Sequence, residues 1–392
     1  MSVGSITIKE SPVIGSVDFN DNLEAGDWVR DSYEHEIRSI GGFWRAQFEL
    51  QPDRLGLGYL EEYMENGVGR NVDAYDSNGL LVWQGYIDRL KLELPGVDIV
   101  VTLDNMANRV WVRFLSTAGG ATNRSTKAND TESQNRFGTK EQTLAGNIIS
   151  VSAAADQAAE ANLSQYADPR QSETGIRSTI GEREPRLKIF CKGYYHTLNW
   201  RTYNQTATTG DQNINVQIQD IINDMGEFID DTDLVTNTTQ VTQYHDDDEF
   251  AGDIIQRITN LADSSNNRHI IGVYEDRELR YEQMIDIDSS ASDIINIKYG
   301  FQTKNNVQLI KELATGRIIP PSQIRPNNWL KVEDLSGSKI PLSITPSKDT
   351  QNTFVESVIY REPFTVMIHG YQASQAESVL ASINQLGGSN TL

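Results

Sequence analysis

The clearest period-two pattern begins after Gly41-Gly42, where bulky and polar side chains alternate over part of Phe43 to Leu50. That period predicts a strand with one buried face. Gly69 to Tyr75 and Leu80 to Leu90 read as two more strands, with Asp76, Ser77, Asn78 and Gly79 between them. Asn-Gly between apolar runs is a strong hairpin signal, because both residues accept positive φ. Pro95-Gly96 marks the next turn, and Val97 to Leu103, rich in β-branched residues, the next strand. Leu55 to Asn66, carrying Glu61, Glu62 and Glu65, predicts a short helix inserted among them. The first hundred residues have the pattern of a small antiparallel barrel or sandwich.

Residues 116–140 are polar and nearly free of large apolar groups, which predicts a long surface loop that becomes ordered in an assembly. An Ala-rich helix is expected from about Leu144 to Tyr166, ended by Asp168-Pro169. Arg186 to Gly193 and Tyr194 to Trp200 read as strands. Apolar residues at three- and four-residue spacings predict helices over Ile214 to Ile229 and Glu249 to Ala262, with a polar, Thr-rich stretch from Thr232 to Tyr244. A hairpin is expected from His269 to Tyr274 and Arg277 to Tyr281. Beyond it, Trp329 to Leu335, Thr353 to Tyr360 and Phe364 to His369 predict strands, and Ala373 to Leu386 a helix before Gly387-Gly388.

The 392 residues suit two to four domains. Cys191, alone, permits no intrachain disulfide and reads as a small buried hydrophobe. No basic-then-apolar leader opens the sequence and no apolar run reaches transmembrane length, so a soluble product made in the cytosol, without stable membrane insertion, is expected. With 34 basic and 55 acidic residues the formal charge is −21. Such a surface disfavours sequence-specific nucleic-acid binding, though an acidic or neutral wall suits DNA that must slide past. Composition alone is equally met by solubility.

The chemistry-bearing motifs are missing. There is no Walker A loop, no strand–GxGxxG–helix unit (Gly56-Leu57-Gly58 is too short), no His-Glu-x-x-His and no Gly-x-Ser-x-Gly. Five His and one Cys leave little for a transition-metal site. No cofactor and no enzymatic activity are expected. Asp246, Asp247, Asp248 and Glu249 form a candidate cation cluster, but calcium-loop spacing is absent, and an acidic first turn of the following helix explains them as well. Asp230, Asp231 and Asp233 read as solvated. Glu61, Glu62 and Glu65 are sequence neighbours, which rarely face each other across a sugar as a glycosidase pair must. Trp28, Trp44, Trp83, Trp111, Trp200 and Trp329 are scattered singly, as core or interface anchors are.

Several of these segments together resemble phage baseplate-hub and tail-tip proteins of the gp27-like type. The residues that carry the likeness are Gly42 to Phe48, Val82 to Asp88, Leu103 to Phe114, Ser133 to Glu141 with the Ala-rich helix and Pro169, Asn328 to Asp334 and Thr353 to Val358. The resemblance implies an α+β, β-dominated fold: two tube-like antiparallel β-barrel domains with inserted helical elements. It divides the chain into a first barrel domain (1–115), an extended polar arm plus Ala-rich helix (116–184), a mixed helix and strand domain (185–295), second barrel strands (296–372, with 185–212 as candidate partners) and a C-terminal helix and tail (373–392). It implies a virion subunit at the tail tip and a homotrimer whose six barrels match a hexameric tail tube. A tail tube or distal tail protein would lie above, and a spike, fibre or tape-measure protein below. DNA would pass through the lumen without specific binding. Nothing after residue 370 looks like a hydrolase or fibre domain. A receptor- or carbohydrate-binding tip module and a tail-associated cell-wall hydrolase are the alternative readings.

Overall fold

The computed structural model describes residues 3–13, 19–29, 31–54, 56–115, 122–147, 149–174, 185–203, 211–242, 249–284, 294–298, 311–312, 329–333, 351–362 and 365–372. The N-terminal part holds β1 (Val3–Lys9), β2 (Asp21–Glu24), β3 (Glu34–Arg38), β4 (Ile40–Glu49), α1 (Leu57–Asn66), β5 (Asn71–Asp76), β6 (Leu81–Leu94) and β7 (Val97–Thr102). Then come β8 (Arg109–Leu115), β9 (Thr122–Arg124), β10 (Ala128–Asn129), α2 (Thr131–Phe137), β11 (Glu141–Gly146), α3 (Ser152–Tyr166), β12 (Arg170–Thr174) and β13 (Arg186–Lys192). A 3-10 turn covers Tyr194–Asn199, followed by β14 (Asp211–Asn213), α4 (Ile214–Met225), β15 (Asp231–Leu234), β16 (Gln240–Thr242), α5 (Ala251–Thr259), β17 (His269–Val273) and β18 (Glu278–Gln283). The last strands are β19 (Ile294–Lys298), β20 (Lys311–Glu312), β21 (Trp329–Glu333), β22 (Gln351–Arg361) and β23 (Thr365–Gln372).

The Asn78-Gly79 hairpin forms as its sequence requires. Gly79 takes φ +76°, and the Asp76 carboxylate accepts the Asn78 and Leu80 amides at 2.8 and 3.1 Å. That turn fixes Ala74 opposite Trp83 and Asn71 opposite Tyr86. In the large sheet, three of the described strands are long enough to serve two neighbours along one edge. β6 pairs with β5 near Tyr86 and with β7 from Arg89 onward, while β13 runs along its other edge. β4 pairs with β17 at Ile40–Gly42 and with β13 at Arg45–Glu49, opposite β3. β22 pairs with β21 and then β3, opposite β23. A twisted strand that outruns one partner turns toward the next, and bulges between Glu36/Ile37 and Phe190/Cys191 add to the turn. The result is one strongly curled sheet and a β-dominated α+β fold.

The main core is made by Trp83, Tyr33, Tyr63, Tyr194, Phe43, Ile6 and Ile8, all fully buried, together with the apolar faces of α4 and α5. At Gly193 the backbones nearly touch: a Cβ there would sit 1.6 Å from the Phe43 carbonyl oxygen. Cys191 is buried in this core, and burial pushes its thiol pKa well up.

Three expectations need correction. Among the described residues, the polar stretch 116–140 is folded: β9, β10 and α2 lie there, and β9 and β10 pair with β8. Side-chain bonds replace apolar burial in that stretch. Asp130 caps α2 through the Ser133 amide at 3.0 Å, and Asn108 bonds Ser133 and the Gly138 carbonyl. The Ala-rich helix starts at Ser152, because Glu141–Gly146 pairs in parallel with β8. Tyr194 to Trp200 forms a 3-10 turn, its aromatic spacing serving the core. The helix expected at 373–386 lies outside the described residues.

Candidate functional site

The polar face of the curled sheet is built by residues two apart on adjacent strands. On β3, Glu34, Glu36 and Arg38 alternate with His35 and Ile37, which point inward; Glu34 and Glu36 are buried as well, beside the more exposed arginines that bind them. Register places Glu36 opposite Arg45 of β4, and Glu34 opposite Arg361 of β22. Glu36 is bound by Arg38 at 2.6 Å and Arg45 at 2.7 Å. Glu34 is bound by Arg361, with Arg45 at 3.6 Å. Further along, Lys91 stands opposite Lys188, and Glu93 opposite Asp98. Like charges face to face are unfavourable, and diagonal bridges resolve both pairs. Glu93 accepts from Lys91 at 2.7 Å and Lys188 at 3.0 Å, and Lys91 reaches Asp98 at 3.1 Å. Partial burial opposes ionisation of Glu93, but the two lysines outweigh it and hold its pKa at about 2.

At the margin of the face, Lys192 binds Asp88 at 3.0 Å and Asp104 at 2.8 Å. Burial raises the Asp88 pKa against the pull of Lys192. Lys140 donates to the Leu103 and Asp104 carbonyls. Burial lowers its pKa to about 8, despite Asp88 and Asp104. His196 packs on Trp44 with ring centroids 4.0 Å apart. Burial, then Lys192, depresses its pKa to about 4. Arg89 lies over Phe190 at 4.1 Å. On this face the cations Arg38, Arg45, Lys91, Lys188, Lys192 and Arg361 are each held by a carboxylate. The acidic excess lies elsewhere: residues 202–256 contain no Lys or Arg and carry Asp220, Asp224, Asp231 and Asp233 among others.

Of the candidate cation cluster, Asp246, Asp247 and Asp248 lie outside the described residues. Glu249 is bound by the Arg257 guanidinium, one bond being 3.0 Å. No group of three His, Cys, Asp or Glu among the described residues could hold a metal ion. Glu61, Glu62 and Glu65 line the exposed side of α1, and Glu62 accepts from Asn66. Asp230 pairs with Arg277 at 3.3 Å. Trp28, Trp83, Trp111 and Trp200 are buried. Trp44 is half-buried between Arg38 and His196. No helix among the described residues is long and apolar enough to cross a membrane. The charged ladder was readable as an i, i+2 alternation in Glu34–Arg38, Arg89–Glu93 and Arg186–Lys192. Its pairing was not, because partners lie up to 327 residues apart.

The chain is similar to solved phage tail proteins. The 43 kDa tail protein of prophage MuSo2 from Shewanella oneidensis matches with 8% identity, covering 94% of this chain and 96% of that one, at a TM-score of 0.43. A tail protein from Neisseria meningitidis MC58 matches with 7% identity, 91% and 92% coverage and a TM-score of 0.41. Prophage tail protein gp18 from Listeria monocytogenes EGD-e matches with 9% identity, 97% and 99% coverage and a TM-score of 0.37. No family model matches the sequence, and no curated protein does.

Proposed function

We propose that this chain is a non-enzymatic structural subunit of a phage tail tip. It acts in the virion as one protomer of a hub ring, expected to be a homotrimer. The ring joins the tail tube or distal tail protein to a spike, fibre or tape-measure protein. The polar face of the sheet lines the channel that DNA passes through. Residues 1–115 and 296–372 supply the two tube-like units, which meet along the β3–β22 ladder.

The observation that carries this reading is the neutralised face of a strongly curled sheet. A phosphate gains affinity by releasing counterions from free Lys or Arg. At Arg38, Arg45, Lys91, Lys188, Lys192 and Arg361 a phosphate must first displace a carboxylate already seated beside the cation, while Arg89 lies over the Phe190 ring. Such a wall presents charge, stays wetted and offers DNA no lasting grip. The segments that resemble the hub group support the same reading, since Gly42 to Phe48 and Val82 to Asp88 fall on β4 and β6, the two N-terminal strands that span the face.

Mass in solution by light scattering, with imaging of tails labelled at this subunit, tests the proposal. Three copies in a ring at the tube end are expected. A stable monomer that never joins a tail overturns it.

A further inference from the structure

Between the end of β3, the start of β17 and the end of α5 lies a cleft of about 500 Å³, a size that suits a bound ligand. Its carboxylate, Glu36, is already held by Arg38 and Arg45. Arg38 is further committed by lying 4.2 Å over the Trp44 ring. Arg268 is different. It is half-buried in the cleft wall, its carbonyl accepts the Met284 amide, and its guanidinium has no carboxylate partner among the described residues.

The rest of the wall is also underused. Tyr195, Thr259 and His269 are all more than nine-tenths buried, and the Tyr195 and Thr259 hydroxyls lack hydrogen-bond partners. β17 joins β4 only from Ile271 onward. At His269 and Ile270 the strand therefore has β18 on one side and, among the described residues, no strand on the other. Gln256 and Asn260 offer amide groups across the gap, and Ile40 and Ile270 offer apolar walls.

We propose that this cleft docks an extended acidic protein segment, its main chain along the open edge at His269 and Ile270 and a carboxylate on Arg268. An open strand edge selects a peptide backbone. A free guanidinium selects a planar oxyanion. A sugar acid fits less well, because the Trp44 ring is already packed against Arg38 and His196.

The test uses the full chain and fluorescence anisotropy with a labelled, capped hexapeptide alternating valine and aspartate. Saturable binding is expected, weakened about tenfold or more by Arg268→Met and by less in Arg268→Lys, which keeps the charge but loses the fork. The same peptide with asparagine for aspartate is expected to bind no better than the aspartate peptide binds Arg268→Met. Thermal midpoints of both variants should match the parent, since the Arg268 guanidinium has no carboxylate partner among the described residues. Equal peptide binding by Arg268→Met overturns the inference. So does equal binding of the asparagine peptide, or saturation by inorganic phosphate without saturation by the peptide. None of these outcomes depends on the chain forming a ring, so the docking site and the tail-hub reading fail separately.

Discussion

The described residues form two hydrophobic cores, made in opposite ways. The large sheet is filled by bulky groups: Trp83, Tyr33, Tyr63, Tyr194 and Phe43 bury whole rings against each other and against the isoleucines of α4 and α5. The small unit, where α3 packs on β8, is filled by Ala107, Val110, Val112, Phe114, Ala155 and Ala159. Alanines bury little area each but let helix and sheet approach closely. Large rings supply stability within the unit, whereas a thin alanine seam leaves the small unit dependent on its polar joints to the main body. Chief among those is Glu141, buried, accepting from Arg109 at 3.1 Å and from the Thr202 amide at 2.9 Å.

The largest effect should come from the main core. Gly193→Ala forces a Cβ onto the Phe43 carbonyl, and Trp83→Ala empties the deepest ring site. Each should cost about 3–5 kcal/mol in denaturant unfolding, with the whole sheet melting together. If the small unit is lost first in these variants, the ranking of the two cores is wrong.

Glu141→Gln should come next, at about 1–3 kcal/mol, and should act on the joint alone. Burial opposes ionisation of Glu141, but the Thr202 amide, Lys127 and Arg109 outweigh it and lower its pKa. A lowered carboxylate pKa contributes stability that is present above its unfolded value, about 4.3. That stability is lost as pH falls through the folded value. The protection of β8 and β11 amides against hydrogen exchange, taken relative to the intrinsic rate at each pH, should therefore fall in acid in the parent. In Glu141→Gln that protection should already be low at neutral pH and change little below it.

Ala159→Leu overpacks the thin seam and should cost about 1–3 kcal/mol, read as a lower midpoint for the small unit with the main sheet unchanged. A neutral outcome would mean that the α3–β8 contact has slack. The smallest effect on stability, under about 1 kcal/mol, should be that of Glu93→Gln, since that ladder is partly exposed. Its sign with pH is the same: the contribution is present above about 4.3 and lost toward the Glu93 value of about 2. Its functional effect should be larger. Freeing Lys188 on the sheet face should make the protein retain duplex DNA at low salt, where the parent does not. Equal retention by both would remove the channel role from this face.

The two regions were unequally legible in sequence. Period-two alternation and the Asn78-Gly79 turn located β4, β5, β6 and β7, and three-to-four spacing located α4 and α5. Those signals are local, and the main core is made from them. In the small unit the Ala-rich helix was legible, but the stretch 122–140 was silent, because it is poor in apolar residues and held by Asp130, Asn108 and Ser133 through side-chain bonds that leave no periodic trace. Arg268 was invisible for a related reason. Between Asn267 and His269 it looks like any solvated loop residue, and only the interruption of the β17–β4 ladder gives it an open cleft. The candidate cation cluster illustrates the converse: four acids in a row stand out on the page, yet Glu249 is bound by an arginine of the next helix.

Strand 34–38 hydrogen-bonds strand 351–361, and the Glu362 carboxylate accepts from the Val3 amide and the Trp28 indole, both at 3.0 Å. Val3, Trp28 and strand 34–38 are therefore completed by residues 357–362. At ~5–20 residues per second of synthesis, β3 waits on the order of 15–65 s on the ribosome for its partner. Contacts of such long sequence separation form slowly. During that interval one side of β3, with its row of main-chain donors and acceptors, is open to any other nascent copy. The alternating Glu34, Glu36 and Arg38 on that strand then serve a second purpose, as gatekeepers that keep half-made chains from pairing with each other.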